Sequence, residues 1–171
     1  MLEVCVSVMF VANVWFAEIP TKESTMIKPM HLREMIVEVL STSPRPQMNS
    51  TAAVELLMLT AATESKLGYY FRQIKGPAQG LFQIEPETEK DIWINYLRYK
   101  EYLRSWVNNM ISDNFVSDLK FNLTYQIAMA RLKYYRARDP LPMNHKTHLA
   151  AYYKKHFNTY LGKATVEKAV K

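Results

Sequence analysis

Cysteine, glycine and strand-forming runs are all scarce in this chain, and each scarcity narrows what it can be. One cysteine, Cys5, in 171 residues excludes an internal disulfide framework and any cysteine-built metal site. Four glycines and few alternating β-branched runs leave helix as the dominant element. The longest apolar stretch, residues 4–17, is shorter than the roughly 20 residues a helix needs to cross a bilayer, so no stable membrane span is expected. There is no internal repeat and no low-complexity tract, which argues for one compact domain.

Hydrophobic residues make up 49% of the chain and charged ones 22%, the composition of a folded protein long enough to bury a core. The formal charge of +6 favours anionic partners: nucleic acid, a membrane surface or an anionic cell-wall polymer. Charge alone does not choose among them. Residues 4–17 look like the apolar core of a signal peptide, yet Glu3 stands where a basic segment belongs. A buried element or an upstream extension of the reading frame are the alternatives, and Met26 opens a more conventional start. The limits are therefore 1–25 for an N-terminal extension or signal-like segment and 26–171 for the domain.

Helical spacing of Leu32, Met35, Ile36, Val39 and Leu40 after Pro29 predicts a first helix, stopped by Pro44 and Pro46. Asn49 or Ser50 can cap a second, with Val54, Leu57, Met58 and Ala61 on one face and Gly68 at its end. Residues 69–84 read as a loop or short irregular hairpin. Pro86 opens a third helix through Trp93, Leu97 and Leu103, with Glu87, Glu89 and Asp91 near its start. Further helices are expected over 116–138 and 145–161, with a turn or two over 164–171. The expectation is an all-α domain. His31, His145, His148 and His156 lack carboxylates at ligand spacing, so solvated or capping roles are expected and no metal.

Three of the four glycines, Gly68, Gly76 and Gly80, follow a carboxylate, Glu64, at the end of the apolar second helix. Glycine sits where backbone bends sharply or approaches something closely. A glutamate at a helix end, walled by Tyr69, Tyr70 and Phe82, suits a general acid whose proton is retained by desolvation. Taken alone, such a glutamate is more commonly a structural ion-pair partner.

Glu64-Ser65, then Ala78-Gln79-Gly80-Leu81-Phe82-Gln83-Ile84 and Pro86-Glu87-Thr88, resembles the lysozyme-like lytic transglycosylases of the soluble and goose-type lineage. Their pattern is a catalytic Glu-Ser, a Gly-Ala-x-Gly-Leu-Met-Gln segment and a Pro-x-Thr that opens the next helix. The likeness covers residues 50–90 well and the remainder loosely. Pro77 stands at the first glycine of the segment, and Phe82 replaces methionine. The family's later Ala-Tyr-Asn-Ala-Gly finds two competing registers here, Ala151-Tyr152 followed by Tyr153, and Phe157-Asn158-Thr159.

The resemblance implies a lysozyme-like fold and cleavage of the β-1,4 bond between N-acetylmuramic acid and N-acetylglucosamine in peptidoglycan. Glu64 would be the single acid and base, and Ser65, Gly80, Leu81, Phe82, Gln83 and Tyr152 would bind substrate. No cofactor is implied. It also implies peptidoglycan strands as partner, with virion or cell-envelope proteins besides, and a bacterial or phage-borne enzyme of the virion, envelope or periplasm. The cluster Glu85, Glu87, Glu89 and Asp91 offers a second carboxylate for hydrolysis, although a dipole-favoured helix start explains it more simply. Tyrosines interleave with basic residues over 96–104 and 133–138, a pattern that single-stranded nucleic acid binders share. Half-buried helix faces explain these too, and no nucleic acid is expected. The competing class is a non-catalytic virion structural or nucleic-acid-binding protein that keeps the fold.

Overall fold

The computed structural model describes residues 27–73, 75–113 and 117–158. Expectations for residues 1–25, for the chain beyond Asn158 and for the helix start at 116 lie outside them. Seven α-helices make up the described fold: α1 (Pro29–Ser41), α2 (Thr51–Ser65), α3 (Pro86–Asn95), α4 (Glu101–Asn108), α5 (Asp118–Phe121), α6 (Leu123–Tyr135) and α7 (Lys146–Tyr153). The described residues hold no strand, only isolated bridges between Arg72 and Gln79 and between Gln79 and Ile84. The fold is all-α.

Local chemistry explains the first two helices. Pro29 occupies the first turn of α1, where its missing N–H is no loss, and α1 buries Leu32, Ile36, Val39 and Leu40. Ser50 begins α2, its hydroxyl accepting from Ala53 N–H at 3.2 Å. Two of the expected long helices are broken instead. The third ends at Asn95, and a 3₁₀ turn, Leu97–Tyr99, precedes α4. In one uninterrupted helix Ile92 and Leu97 would point about 140° apart, whereas the break lets both reach 0% exposure. Asn122 interrupts the segment after 116 and caps α6 by accepting from Tyr125 N–H at 3.1 Å.

Helix α6 runs through the middle of the molecule and packs against α1, α2, α3 and α5. It is buried on nearly every side, from Tyr125 to Leu132 and at Tyr134. Its two fully polar buried side chains are bonded, as burial requires. Gln126 Oε1 accepts from Leu81 N–H at 2.6 Å, and Arg131 donates to the carbonyls of Met48 and Gln47 at 2.9 and 3.1 Å. Helix α7 lies on α2 and continues into a π-helical turn, Lys154–Asn158, that packs on α6. The end of α2, the end of α7, the last turn of α6 and this turn frame Glu64.

Candidate active site

Glu64 occupies the last turn of α2, on the face that buries Leu57, Thr60 and Ala61, and it is half-buried itself. The helix ends one residue later because Ser65 folds back on it. The Ser65 hydroxyl donates to Ala61 O at 3.1 Å and accepts from Gly68 N–H at 2.9 Å. Lys66, Leu67 and Gly68 then all take left-handed backbone, with φ of 52°, 56° and 89°. Two of these are not glycine, so the turn is held by its bonds rather than by local preference.

Both hydrogen bonds to the Glu64 carboxylate converge on one oxygen. Tyr153 OH donates to Oε1 at 2.7 Å, and Asn158 Nδ2 approaches the same atom at 3.4 Å. Oε2 has no partner among the described residues, and no buried side-chain oxygen or nitrogen lacks one, so Oε2 is open to solvent. With Oε1 receiving two donors, a proton on this carboxyl belongs on Oε2. Burial pushes the Tyr153 phenol well above its ordinary value, and the neighbouring Glu64 charge adds to this, so it remains a donor.

Further residues orient those donors. Lys154 Nζ donates to Asn158 Oδ1 at 2.9 Å, which fixes the amide with Nδ2 toward Glu64. Lys133, on α6, donates to Phe157 O at 3.0 Å and lies 3.7 Å from the centre of that ring. Burial pushes its ammonium down to about 8 against the pull of Glu64; Arg136 lowers it further and Glu85 draws it back. Phe157 stacks on Tyr153 with centroids 6.2 Å apart, so Lys133 ties down the turn that carries Asn158.

The loop after α2 is an irregular hairpin. Gly80 N–H donates to Phe71 O at 2.9 Å, Gln73 N–H to Ala78 O at 3.0 Å, and Gln79 and Ile84 exchange bonds at 3.0 Å. Gly80 has φ of +74°, and a β-carbon there would stand 2.3 Å from Leu119 O and 2.6 Å from Gln126 Oε1. The close approach that requires glycine is thus to α5 and α6.

Several expected substrate contacts have structural duties in this fold. Leu81 and Phe82 are 0% and 1% exposed, part of the core rather than a groove lining, because α6 covers this side of the hairpin. Ser65 closes the helix end. Gln83, at φ of +47°, donates from Nε2 to Gly80 O at 2.8 Å and Tyr70 O at 3.1 Å, which leaves only Oε1 for anything else. Tyr152 points away from Glu64: its hydroxyl donates to Asp139 O at 2.9 Å and its ring lies 4.3 Å from that of His156. The tyrosine on Glu64 is Tyr153, one residue on and about 100° around the helix.

Tyr153 and Asn158 are the members of the site that sequence reasoning missed. In an α-helix, residues five apart diverge by about 140°, whereas a π turn with its i→i+5 bonds brings them nearer one face. The acidic cluster is mostly engaged: Glu89 accepts from Tyr125 OH, and Asp91 pairs with Arg136 and Asn95. No group of three or more His, Cys, Asp or Glu among the described residues is placed to hold a metal, and no described helix is long and apolar enough to cross a membrane. Compared with protein-family models, curated proteins and solved structures, the chain matches none.

Proposed function

We propose that this chain is a lysozyme-like, peptidoglycan-cleaving enzyme that cuts the β-1,4 glycosidic bond with Glu64 as its single acid and base. The observation that carries the reading is the divided carboxylate: Oε1 held by Tyr153 and Asn158, Oε2 open to solvent. An acid catalyst needs its proton on the atom that faces the leaving oxygen, and this division favours Oε2 as that atom. The Glu64-Ser65 motif and the hairpin that follows supply the other support.

In this mechanism Oε2 gives its proton to the glycosidic oxygen as the bond to the sugar carbon breaks. The resulting carboxylate stays stabilised by the donors on Oε1. It then removes the proton of the muramic acid 6-hydroxyl, whose oxygen closes the 1,6-anhydro ring. Protons balance, and Glu64 ends as it began. Water in place of that hydroxyl would give simple hydrolysis. Gln83 enters as a fixed acceptor, with Nε2 tied to the bend and Oε1 available to a sugar hydroxyl. Ser65 acts by ending α2 where Glu64 must stand. The reading places the enzyme at a cell envelope or on a virion, and the net charge of +6 draws it to an anionic wall.

Mass analysis of fragments released from purified peptidoglycan tests this directly. Anhydromuramyl ends identify the transglycosylase, and reducing ends the hydrolase. Absence of any release by a folded protein rejects the enzymatic reading in favour of a non-catalytic virion or nucleic-acid-binding role.

A further inference from the structure

On α6, Arg131 lies two residues from Lys133, more than half a turn around the helix, and so faces away from it. Arg131 is 3% exposed, yet no carboxylate stands within ion-pair distance of it among the described residues. A buried cation without a counter-charge is costly, and proteins pair such groups or place them against a ligand. Burial pushes this guanidinium down to about 10.

The bonds of Arg131 occupy one edge of its fork. Nε donates to Met48 O and Nη2 to Gln47 O, while Nη1 has no partner among the described residues. Since no buried side-chain nitrogen is left unsatisfied, Nη1 reaches open space. That space is a cavity of about 250 Å³ which Arg131 lines together with Tyr135, Arg138, Pro140, Leu141 and Tyr152. The guanidinium sits 5.2 Å from the centre of the Tyr135 ring, which braces it from one side. Arg138 is exposed and adds a second positive charge. Asp139 also lines the cavity, but its carboxylate is engaged by Lys155 and by His156, the latter at 3.0 Å.

We propose that this cavity binds a small monocarboxylate with an apolar body, its two oxygens on the open Nη1–Nη2 edge of Arg131 and its body against Tyr135, Tyr152 and Leu141. Two coplanar N–H groups match the two oxygens of a carboxylate, and one buried guanidinium balances one negative charge. The volume lies just below the about 300–1,000 Å³ typical of drug-sized ligands, which suits a compact acid. The site is separate from Glu64, and its existence does not depend on the reaction assigned there.

The test titrates the full chain with sodium benzoate, followed by protein NMR and calorimetry. Benzamide serves as the uncharged isostere and sodium phosphate as the alternative oxyanion. Saturable benzoate binding with a Kd of about 1 mM or tighter is expected, shifting the Tyr135 and Tyr152 ring signals, with benzamide at least about tenfold weaker. Arg131→Met should abolish it. Because Arg131 also holds two backbone carbonyls, Ala137→Leu provides a second arm: it fills the cavity from its wall and should abolish binding with the thermal midpoint retained. Equal binding of benzoate and benzamide, phosphate binding in place of benzoate, no saturable binding, or undiminished binding by Ala137→Leu would each overturn the proposal.

Discussion

Glu64 and Arg131 are forked ionic groups of opposite sign, set on different sides of the same bundle, and the protein treats them alike. Each has one arm tied to the fold and the other left open: Oε1 against Oε2 in Glu64, the Nε–Nη2 edge against Nη1 in Arg131. The difference lies in what ties them. Side chains hold Glu64, Tyr153 from the end of α7 and Asn158 from the π turn that follows, which Lys133 of α6 ties down. Backbone carbonyls of the turn before α2 hold Arg131. Side-chain donors can be arranged around a proton that comes and goes, whereas two fixed carbonyls suit a charge that never changes. Adjacent tyrosines mark the division, Tyr153 toward Glu64 and Tyr152 toward the Arg131 cavity.

The largest effect expected from breaking this pairing is on Glu64. Glu64→Gln preserves shape and the Oε1 acceptor but removes the ionisable proton. Release of peptidoglycan fragments should fall by about 10²–10⁴, the usual worth of one general acid, with the thermal midpoint nearly unchanged. Lysis at the wild-type rate would reject Glu64 as the acid.

Gly80→Ala should separate fold from chemistry. The positive φ and the Leu119 carbonyl 2.3 Å from a new β-carbon predict a loss of about 2–3 kcal/mol in denaturant unfolding. The rate per folded molecule should stay within a few fold, since the clash is with α5 and α6. A stable but inactive Gly80→Ala would instead place substrate against this backbone.

The tyrosine pair tests the division itself. Tyr153→Phe deletes a donor to Glu64 and should lower turnover about tenfold, as loss of one hydrogen bond to a charged group predicts. Tyr152→Phe removes only the bond to Asp139 O, and should leave turnover intact at a cost of about 1 kcal/mol in stability. The opposite ranking would restore Tyr152 as the substrate-side tyrosine.

The effect at Lys133 is read against pH rather than from a single rate. Its folded-state pKa lies near 8, below the ordinary 10.5, so between those values the unfolded chain binds more protons than the native one. Stability from this group is therefore lowest below about pH 8 and rises as the pH climbs toward 10.5. Measured against Lys133→Met, wild type should gain stability over that window. A difference that stays flat with pH would show that Lys133 keeps its ordinary ionisation.

Residue chemistry near in sequence already determined much of this protein. Pro29 and Ser50 placed the starts of α1 and α2, the pair Pro44 and Pro46 forced the break between them, and the glycines after Glu64 marked an irregular hairpin. These depend on bonds and steric limits within a few residues, which any local reading can see. The Glu64 site was half legible: the carboxylate and its turn, but not its partners. Helical periodicity cannot tell which of Tyr152 and Tyr153 faces a residue some ninety positions earlier. Nor can it foresee that α7 widens into a π turn and brings Asn158 to the same oxygen. Leu81 and Phe82, expected to bind substrate, lie in the core, and the burial of Arg131 comes from the enclosure of α6 by its neighbours. Those assignments required the tertiary structure, because burial and hydrogen bonding between distant segments are set by packing rather than by the neighbours along the chain.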